Sequence, residues 1–144
     1  REKSLDHAYA IASIHHLFNK KNRADFMQNV IYLMKGNGSF ILSIWRKWQK
    51  KFQKYFIKDW FKRRFSSKYR KVQYDKGLYE FGDIIIPWKK SNGKKVSIRY
   101  YHLFSRREVS KITKSFRIRK FSILGGLGNK DNFFIWLQKE KSVK

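Results

Sequence analysis

Two short apolar runs flank a stretch with helical spacing, and this arrangement constrains the fold more than any other part of the chain. Ala8-Tyr9-Ala10-Ile11-Ala12-Ser13-Ile14 is nearly continuous in apolar residues. That is the pattern of a strand buried on both faces of a parallel sheet. In residues 20–35, Phe26, Val30, Leu33 and Met34 fall on one helical face, and Asn19 stands where a cap is needed. Lys35-Gly36-Asn37-Gly38 reads as the helix stop. Ser39-Phe40-Ile41-Leu42-Ser43-Ile44-Trp45 is a second apolar run of strand character. Strand, helix and strand in that order require a crossover, so the two strands are expected to run parallel in an α/β layer fold.

Residues 82–104 predict a different unit. Gly82-Asp83-Ile84-Ile85-Ile86-Pro87-Trp88 and Val96-Ser97-Ile98-Arg99-Tyr100-Tyr101-His102-Leu103-Phe104 are joined by a polar link containing Ser91-Asn92-Gly93-Lys94. Asn-Gly between two β-prone runs signals a hairpin, because both residues tolerate positive φ. Pro87 cannot donate to a ladder and belongs at a strand end or edge. Alternation puts Arg99 and Tyr101 on one face of the second arm, and Tyr100 and His102 on the other.

These residues also carry a resemblance. Asp83-Ile84-Ile85-Ile86-Pro87-Trp88, followed by Arg99-Tyr100-Tyr101-His102-Leu103-Phe104, resembles the tRNA wobble-uridine 5-carboxymethyl methyltransferases. Leu5-Asp6 followed by Ala10-Ile11-Ala12-Ser13-Ile14-His15-His16 resembles the fourth strand and following loop of class I S-adenosylmethionine (SAM) methyltransferases. Arg23, the Gly36-Asn37-Gly38 turn, Trp45 and Asp131-Asn132-Phe133 also fall where that family has similar residues, so the likeness is colinear over residues 5–139. It implies an α/β fold: an incomplete Rossmann-like class I methyltransferase sheet, comprising the later strands and ending in an antiparallel pair. The family's glycine loop and ribose-binding acid lie before this point, so most of the SAM cradle would come from a missing N-terminal half of the domain or from another chain. This chain alone is then expected to bind SAM weakly or not at all.

Residues 46–71 differ in character. They hold 12 Lys and Arg against one acid, Asp59, with Trp48, Phe52, Phe56 and Trp60 recurring every fourth residue. We read a basic amphipathic helix inserted into the domain, with a break at Ser66-Ser67. Three readings stay open for it: cations such as Lys50, Lys54, Lys58 and Lys62 presented to tRNA phosphates, a cover for the core, or a membrane-surface helix. Beyond the hairpin, Ser105 is placed to cap a helix over residues 106–114. An alternating strand at 116–124 and a last strand at 132–137, joined by the Gly125-Gly126-Leu127-Gly128 turn, are expected to pair antiparallel. We take residues 1–144 as one partial domain, with 46–71 as the insertion and 82–104 as the substrate-side hairpin.

Charge sets the partner class. The 144 residues carry 35 Lys and Arg against 10 Asp and Glu, a formal net charge of +25, with 18% aromatic residues interleaved. That combination is the electrostatic footprint of a nucleic-acid binder. There are no cysteines, so disulfides, zinc-thiolate sites and cysteine nucleophiles within this chain are excluded. No apolar run approaches the roughly 20 residues of a membrane helix. No membrane partner is expected, and a cytoplasmic location is.

The resemblance implies methyl transfer from SAM to the carboxylate of 5-carboxymethyluridine at the tRNA wobble position, with a small zinc-binding activator subunit as partner. A carboxylate is already ionised at neutral pH, so catalysis would rest on positioning more than on a strong base. Arg99 suits bidentate capture of a carboxylate or phosphate. His15 and His16 follow the carboxyl end of a strand, where α/β sheets place ligands. We assign His15, His16 and Arg99 as catalytic candidates. Tyr100, Tyr101, His102, Trp88 and Arg23 are substrate-side candidates, and Ala12 and Ile14 are cofactor-side ones. The competing readings are a helix-entry role for the His pair, an Arg99–Asp83 structural ion pair, and core packing for the two tyrosines. A basic RNA-binding protein without catalysis, or a methyltransferase of this fold with another substrate, remain alternatives for the whole chain.

Overall fold

The computed structural model describes residues 2–89 and 95–140. The predicted turn at Ser91-Asn92-Gly93-Lys94 lies outside them. Strand β1 (Leu5–Ile11) leads through a 3-10 turn (Ile14–His16) into helix α1 (Asn19–Leu33), and the chain returns along strand β2 (Met34–Trp45). β1 and β2 pair in parallel, with Ala8 opposite Phe40 and Ala10 opposite Leu42. The crossover expected from the apolar runs is therefore present. Asn19 does the capping: its φ is +58° and its Oδ1 accepts from the Asn22 N–H at 2.9 Å.

Two boundaries and one burial pattern differ from expectation. The first strand ends at Ile11 rather than residue 14, because Ala12 takes a positive φ of 49° and Ser13 turns the chain into the 3-10 turn. The second begins at Met34 and runs straight through Gly36-Asn37-Gly38, which bulge out of the ladder between the Leu5–Met34 and His7–Ser39 pairs. A Cβ on Gly38 would stand 2.9 Å from the Lys35 carbonyl oxygen, so these glycines serve a tight bulge. Finally, β1 is not buried on both faces. It forms one edge of the sheet, and Tyr9 and Ile11 are exposed on it.

The four-stranded sheet has the order β1-β2-β6-β5, where β5 is Arg117–Leu124 and β6 is Asn132–Gln138. The β2–β6 and β6–β5 pairs are antiparallel, as the strand-turn-strand ending predicts. Phe40, Leu42 and Ile44 from β2 and Phe133, Ile135 and Leu137 from β6 form the centre of the core. Met27 of α1 and Val109 of helix α4 (Arg106–Ile112) close it from one side. α4 starts on a full capping box, in which Ser105 and Glu108 satisfy each other's backbone N–H groups.

The hairpin forms a separate two-stranded sheet of β3 (Asp83–Lys89) and β4 (Lys95–His102). Its register sets Ile84 opposite Tyr101 and Ile86 opposite Arg99. Gly82 has a φ of +130°, and a Cβ there would meet the Leu103 carbonyl oxygen at 2.7 Å. Only glycine lets β3 start this close to the end of β4.

The basic insertion forms two helices, divided where the sequence places the break. α2 (Gln53–Phe65) and α3 (Ser67–Asp75) break at Ser66, whose hydroxyl accepts from the Tyr69 N–H. The expected four-residue aromatic stripe is only half used. Phe52 and Phe56 pack on Ile84, Tyr101 and Leu103 of the hairpin, whereas Trp48 precedes the helix and Trp60 points outward. The inward face continues instead through the buried Asp59, which accepts from the Arg63 Nε–H at 2.7 Å and the Tyr69 hydroxyl at 2.9 Å.

Candidate functional site

The site is assembled where β1 and β2 end. Past Ile11 the backbone kinks at Ala12, whose N–H donates to the Ser43 carbonyl at 3.0 Å. The 3-10 turn then delivers His15 and His16 beside the last residue of β2, Trp45, while β4 brings Tyr101 from the other side. The four rings pack together. Trp45 and Tyr101 stack with centroids 4.7 Å apart and planes 6° from parallel. His16 lies 4.5 Å from Tyr101 and 4.6 Å from His15, and His15 lies 5.1 Å from Trp45.

The two imidazoles differ in kind. His15 is 1% exposed, and burial, together with the neighbouring His16, pushes its pKa down to about 3. It is therefore neutral at physiological pH, and its Nδ1 faces the Trp45 backbone N–H at 3.4 Å. His16 is exposed and its Nδ1 lies 3.2 Å from the Tyr100 carbonyl oxygen. A carbonyl only accepts, so Nδ1 must carry the proton in that contact. Of the two rings, the exposed His16 is the one open to a ligand.

Several expected site residues belong instead to a buried polar network. Arg23 is 2% exposed, with NH2 2.7 Å from both Glu80 carboxylate oxygens and NH1 donating to the Leu17 carbonyl. His102 is 1% exposed, with Nδ1 2.7 Å from Asp83 Oδ1 and Nε2 3.4 Å from Glu108 Oε1. The Tyr100 hydroxyl donates to the same Asp83 oxygen at 2.7 Å. Burial alone would raise the Asp83 pKa, but hydrogen bonds from His102 and Tyr100 outweigh it and hold the carboxyl below its ordinary value. The substrate-side assignment of Arg23 and His102 is thus corrected: their polar atoms are occupied within the fold. Glu80, Asp83 and His102 offer ligand atoms within 4.8 Å of one another, but Arg23 and Tyr100 already occupy the two carboxylates. Among the described residues this cluster is an ion-pair network rather than a metal centre.

Three further expectations change. Ile14 is fully buried in the main core, so its side chain is closed to a cofactor, whereas Ala12 is exposed at the end of β1. Arg99 does not pair with Asp83; its guanidinium lies 4.8 Å from the centre of the Trp88 ring, two residues from Tyr101 toward the 90–94 end of the hairpin. Lys47, counted among the cations of the insertion, is 2% exposed and donates to the Phe81 carbonyl and to Glu108. Lys50, Lys54, Lys58 and Lys62 are exposed, as expected. Sequence reasoning missed Trp45 as a site residue. Its position at the end of an apolar run, just before a cationic stretch, was the signal that could have found it.

No protein-family model matches the sequence, and no curated protein matches it. Solved structures do. A SAM-dependent methyltransferase from Methanosarcina mazei superimposes with a TM-score of 0.64 at 20% identity, over 97% of this chain and 61% of that one. A 1,6-didemethyltoxoflavin-N1-methyltransferase from Burkholderia thailandensis, bound to 1,6-didemethyltoxoflavin and S-adenosylhomocysteine, gives 0.56 at 11% identity over 98% and 46%. A Pyrococcus horikoshii protein gives 0.58 at 13% identity over 96% and 56%. The chain has a partial class I methyltransferase fold. It spans less than two thirds of the length of each of these structures. In such α/β sheets ligands lie beyond the carboxyl ends of the parallel strands, which is where the four rings meet.

Proposed function

We propose that this chain forms the substrate-side part of a SAM-dependent methyltransferase acting on RNA. The observation that carries the proposal is the ring cluster of His15, His16, Trp45 and Tyr101 at the carboxyl ends of β1 and β2, adjoining the exposed lysines of the insertion. Stacked aromatic surface beside cations suits an unstacked base and its phosphates. A glycine-rich strand-to-helix loop with a following ribose-binding carboxylate does not occur among the described residues. Residues present here would supply one wall of a SAM site, with the exposed Ala12 as part of it. The remaining strands of the sheet would add along the open edge of β1.

The finer reading is that the substrate is tRNA carrying 5-carboxymethyluridine at the wobble position, methylated on its carboxylate in the cytoplasm. The Arg99-Tyr100-Tyr101-His102 run and the charge of +25 support it. When bound, SAM supplies an electrophilic methyl group. In this chain, Trp45 and His16 offer the open ring surface for the base, the buried Tyr101 fixes Trp45 from behind, and Arg99 holds a carboxylate or phosphate from the exposed face of the hairpin. The neutral His15 keeps a second positive charge away from the sulfonium. A zinc-binding activator subunit is part of the same reading.

The test is incubation of the protein containing this chain with methyl-labelled SAM and tRNA, followed by nucleoside mass spectrometry. A labelled methyl ester, removed by mild alkali and lost in Tyr101→Ala, is the expected result. Label on another nucleoside would replace the substrate but keep the enzyme class. RNA binding with no label in any nucleoside would favour a non-catalytic RNA-binding protein.

A further inference from the structure

Helix α2 turns Phe56 and Asp59 inward, yet its other side carries four large apolar side chains. Ile57, Trp60, Phe61 and Phe65 are between 45% and 77% exposed. The three aromatic ones form a continuous surface. Trp60 meets Phe61 edge-on with centroids 4.9 Å apart, and Phe61 and Phe65 lie 6.4 Å apart with planes 22° from parallel. A contiguous apolar patch of this kind marks an interaction surface. The cations of the same helix are set among these rings. Lys54, Lys58 and Arg64 are all exposed. At about 3.6 residues per turn, Arg64 projects between Trp60 and Ile57, and Lys54 between Phe61 and Phe65. Lys62 leans instead on Tyr69, its Nζ 5.2 Å from the ring centre.

This mixture decides among occupants. A lipid interior or the apolar face of a partner helix suits a stripe without charge in it, because a desolvated, unpaired ammonium is costly. A second copy of the chain brings its own net charge of +25 and is repelled. Single-stranded nucleic acid asks for both features together: flat apolar faces for its bases and cations within reach of its phosphates. The position agrees. Residues 50–52, just before α2, wall a cleft beside Trp45, so the helix starts next to the ring cluster.

We propose that the outward face of α2 is a stacking platform for an unpaired stretch of the RNA substrate, an inference that rests on the RNA reading above. Phe61 and Phe65 take base faces, Trp60 widens the platform, and Lys54, Lys58 and Arg64 take the phosphates. Stacking tolerates any base, so this surface senses whether the strand is unpaired rather than its sequence. A duplex hides its base faces and binds here through charge alone.

The experiment measures binding of the 144-residue chain to a labelled uridine 12-mer, the same backbone without bases, a 12-base-pair RNA duplex, polyglutamate and phosphatidylglycerol vesicles. Phe61→Ala and Phe65→Ala, both on the surface, should each weaken the uridine 12-mer by about 5-fold or more, the lower end of what one stacked base contributes. Binding of the baseless backbone and the duplex should stay nearly unchanged. Phe65→Leu keeps apolar bulk without a ring and should weaken binding as Ala does, whereas Phe65→Tyr should restore it. If the alanine or leucine variants hold the 12-mer as before, or the baseless backbone binds as tightly as the 12-mer, the platform is overturned and the RNA reading stands. If polyglutamate or the vesicles depend on Phe61 and Phe65 while the 12-mer does not, the occupant is an acidic protein or a membrane and the platform is likewise overturned. If no RNA binds the unaltered chain, the RNA reading falls and the platform with it.

Discussion

Acid should weaken this fold well before its carboxylates titrate, and His15 should be the reason. Its ordinary pKa of 6.5 falls to about 3 in the folded chain because the ring is buried with no counter-charge and sits against His16. Above pH 6.5 both folded and unfolded forms hold the ring neutral and no penalty exists. Below it the unfolded chain takes up a proton that the folded chain refuses, so stability declines as pH falls from 6.5 toward 3. Each unit is worth about 1.4 kcal/mol, which makes roughly 2 kcal/mol by pH 5. That is a large share of the 5–15 kcal/mol typical of a domain. Asp83 is held below its ordinary value, so its loss begins only below about pH 4, outside this window. Urea unfolding of residues 1–144 at half-unit steps from pH 7.5 to 5 measures the slope. His15→Gln keeps a polar side chain that does not titrate there, and it should flatten the curve. An unchanged slope in His15→Gln would refute the argument and move the titration to another group.

Three other outcomes are expected. Changing Lys50, Lys54, Lys58 and Lys62 to Ser should lower the salt dependence of tRNA binding by up to about four units of slope, about one for each phosphate left without its cation; an unchanged slope would mean that the insertion faces another partner. Arg99→Ala should cut single-turnover methylation while shifting that slope by no more than about one unit, and normal turnover would return Arg99 to a purely structural role on Trp88. Asp83→Asn removes the charge that His102 and Tyr100 share, so urea unfolding at pH 7 should show a loss of about 3–5 kcal/mol; a loss below about 1 kcal/mol would mean that the network is not held by this carboxylate.

The crossover, the hairpin and the closing antiparallel pair were all legible, because each is written in local periodicity and turn chemistry. Burial was harder to read, because it depends on what packs opposite. The run at residues 8–14 looks two-sided, but within β1 only Ala8 and Ala10 turn to the core, while Tyr9 and Ile11 stay exposed on the opposite face. The aromatic stripe of the insertion is regular in sequence, yet the helix docks through Phe52, Phe56 and Asp59 and leaves Trp60 out. The site shows the same division. Alternation correctly separated Tyr101 from Tyr100 and His102, and the His pair does stand at the end of a parallel strand. Nothing local revealed that Arg23 and Lys47 would be buried against Glu80 and Glu108, since those pairs span 57 and 61 residues. A lysine amid exposed lysines gives no hint of its own desolvation.

The exposed edge of β1 bears on how this chain must be handled. An edge strand offers a row of open amides and carbonyls, and natural sheets usually blunt it with proline, inward charge or a covering element. Here Leu5–Ile11 contains no proline, and Tyr9 and Ile11 lie on its exposed side. Lys35 and Asp6 form an ion pair near its start, leaving the far end uncharged. Such an edge is a template for a second copy as much as for a native neighbour. Self-association in preparations of this chain is then a register problem at one strand, to be cured by covering or charging that strand rather than by adding salt.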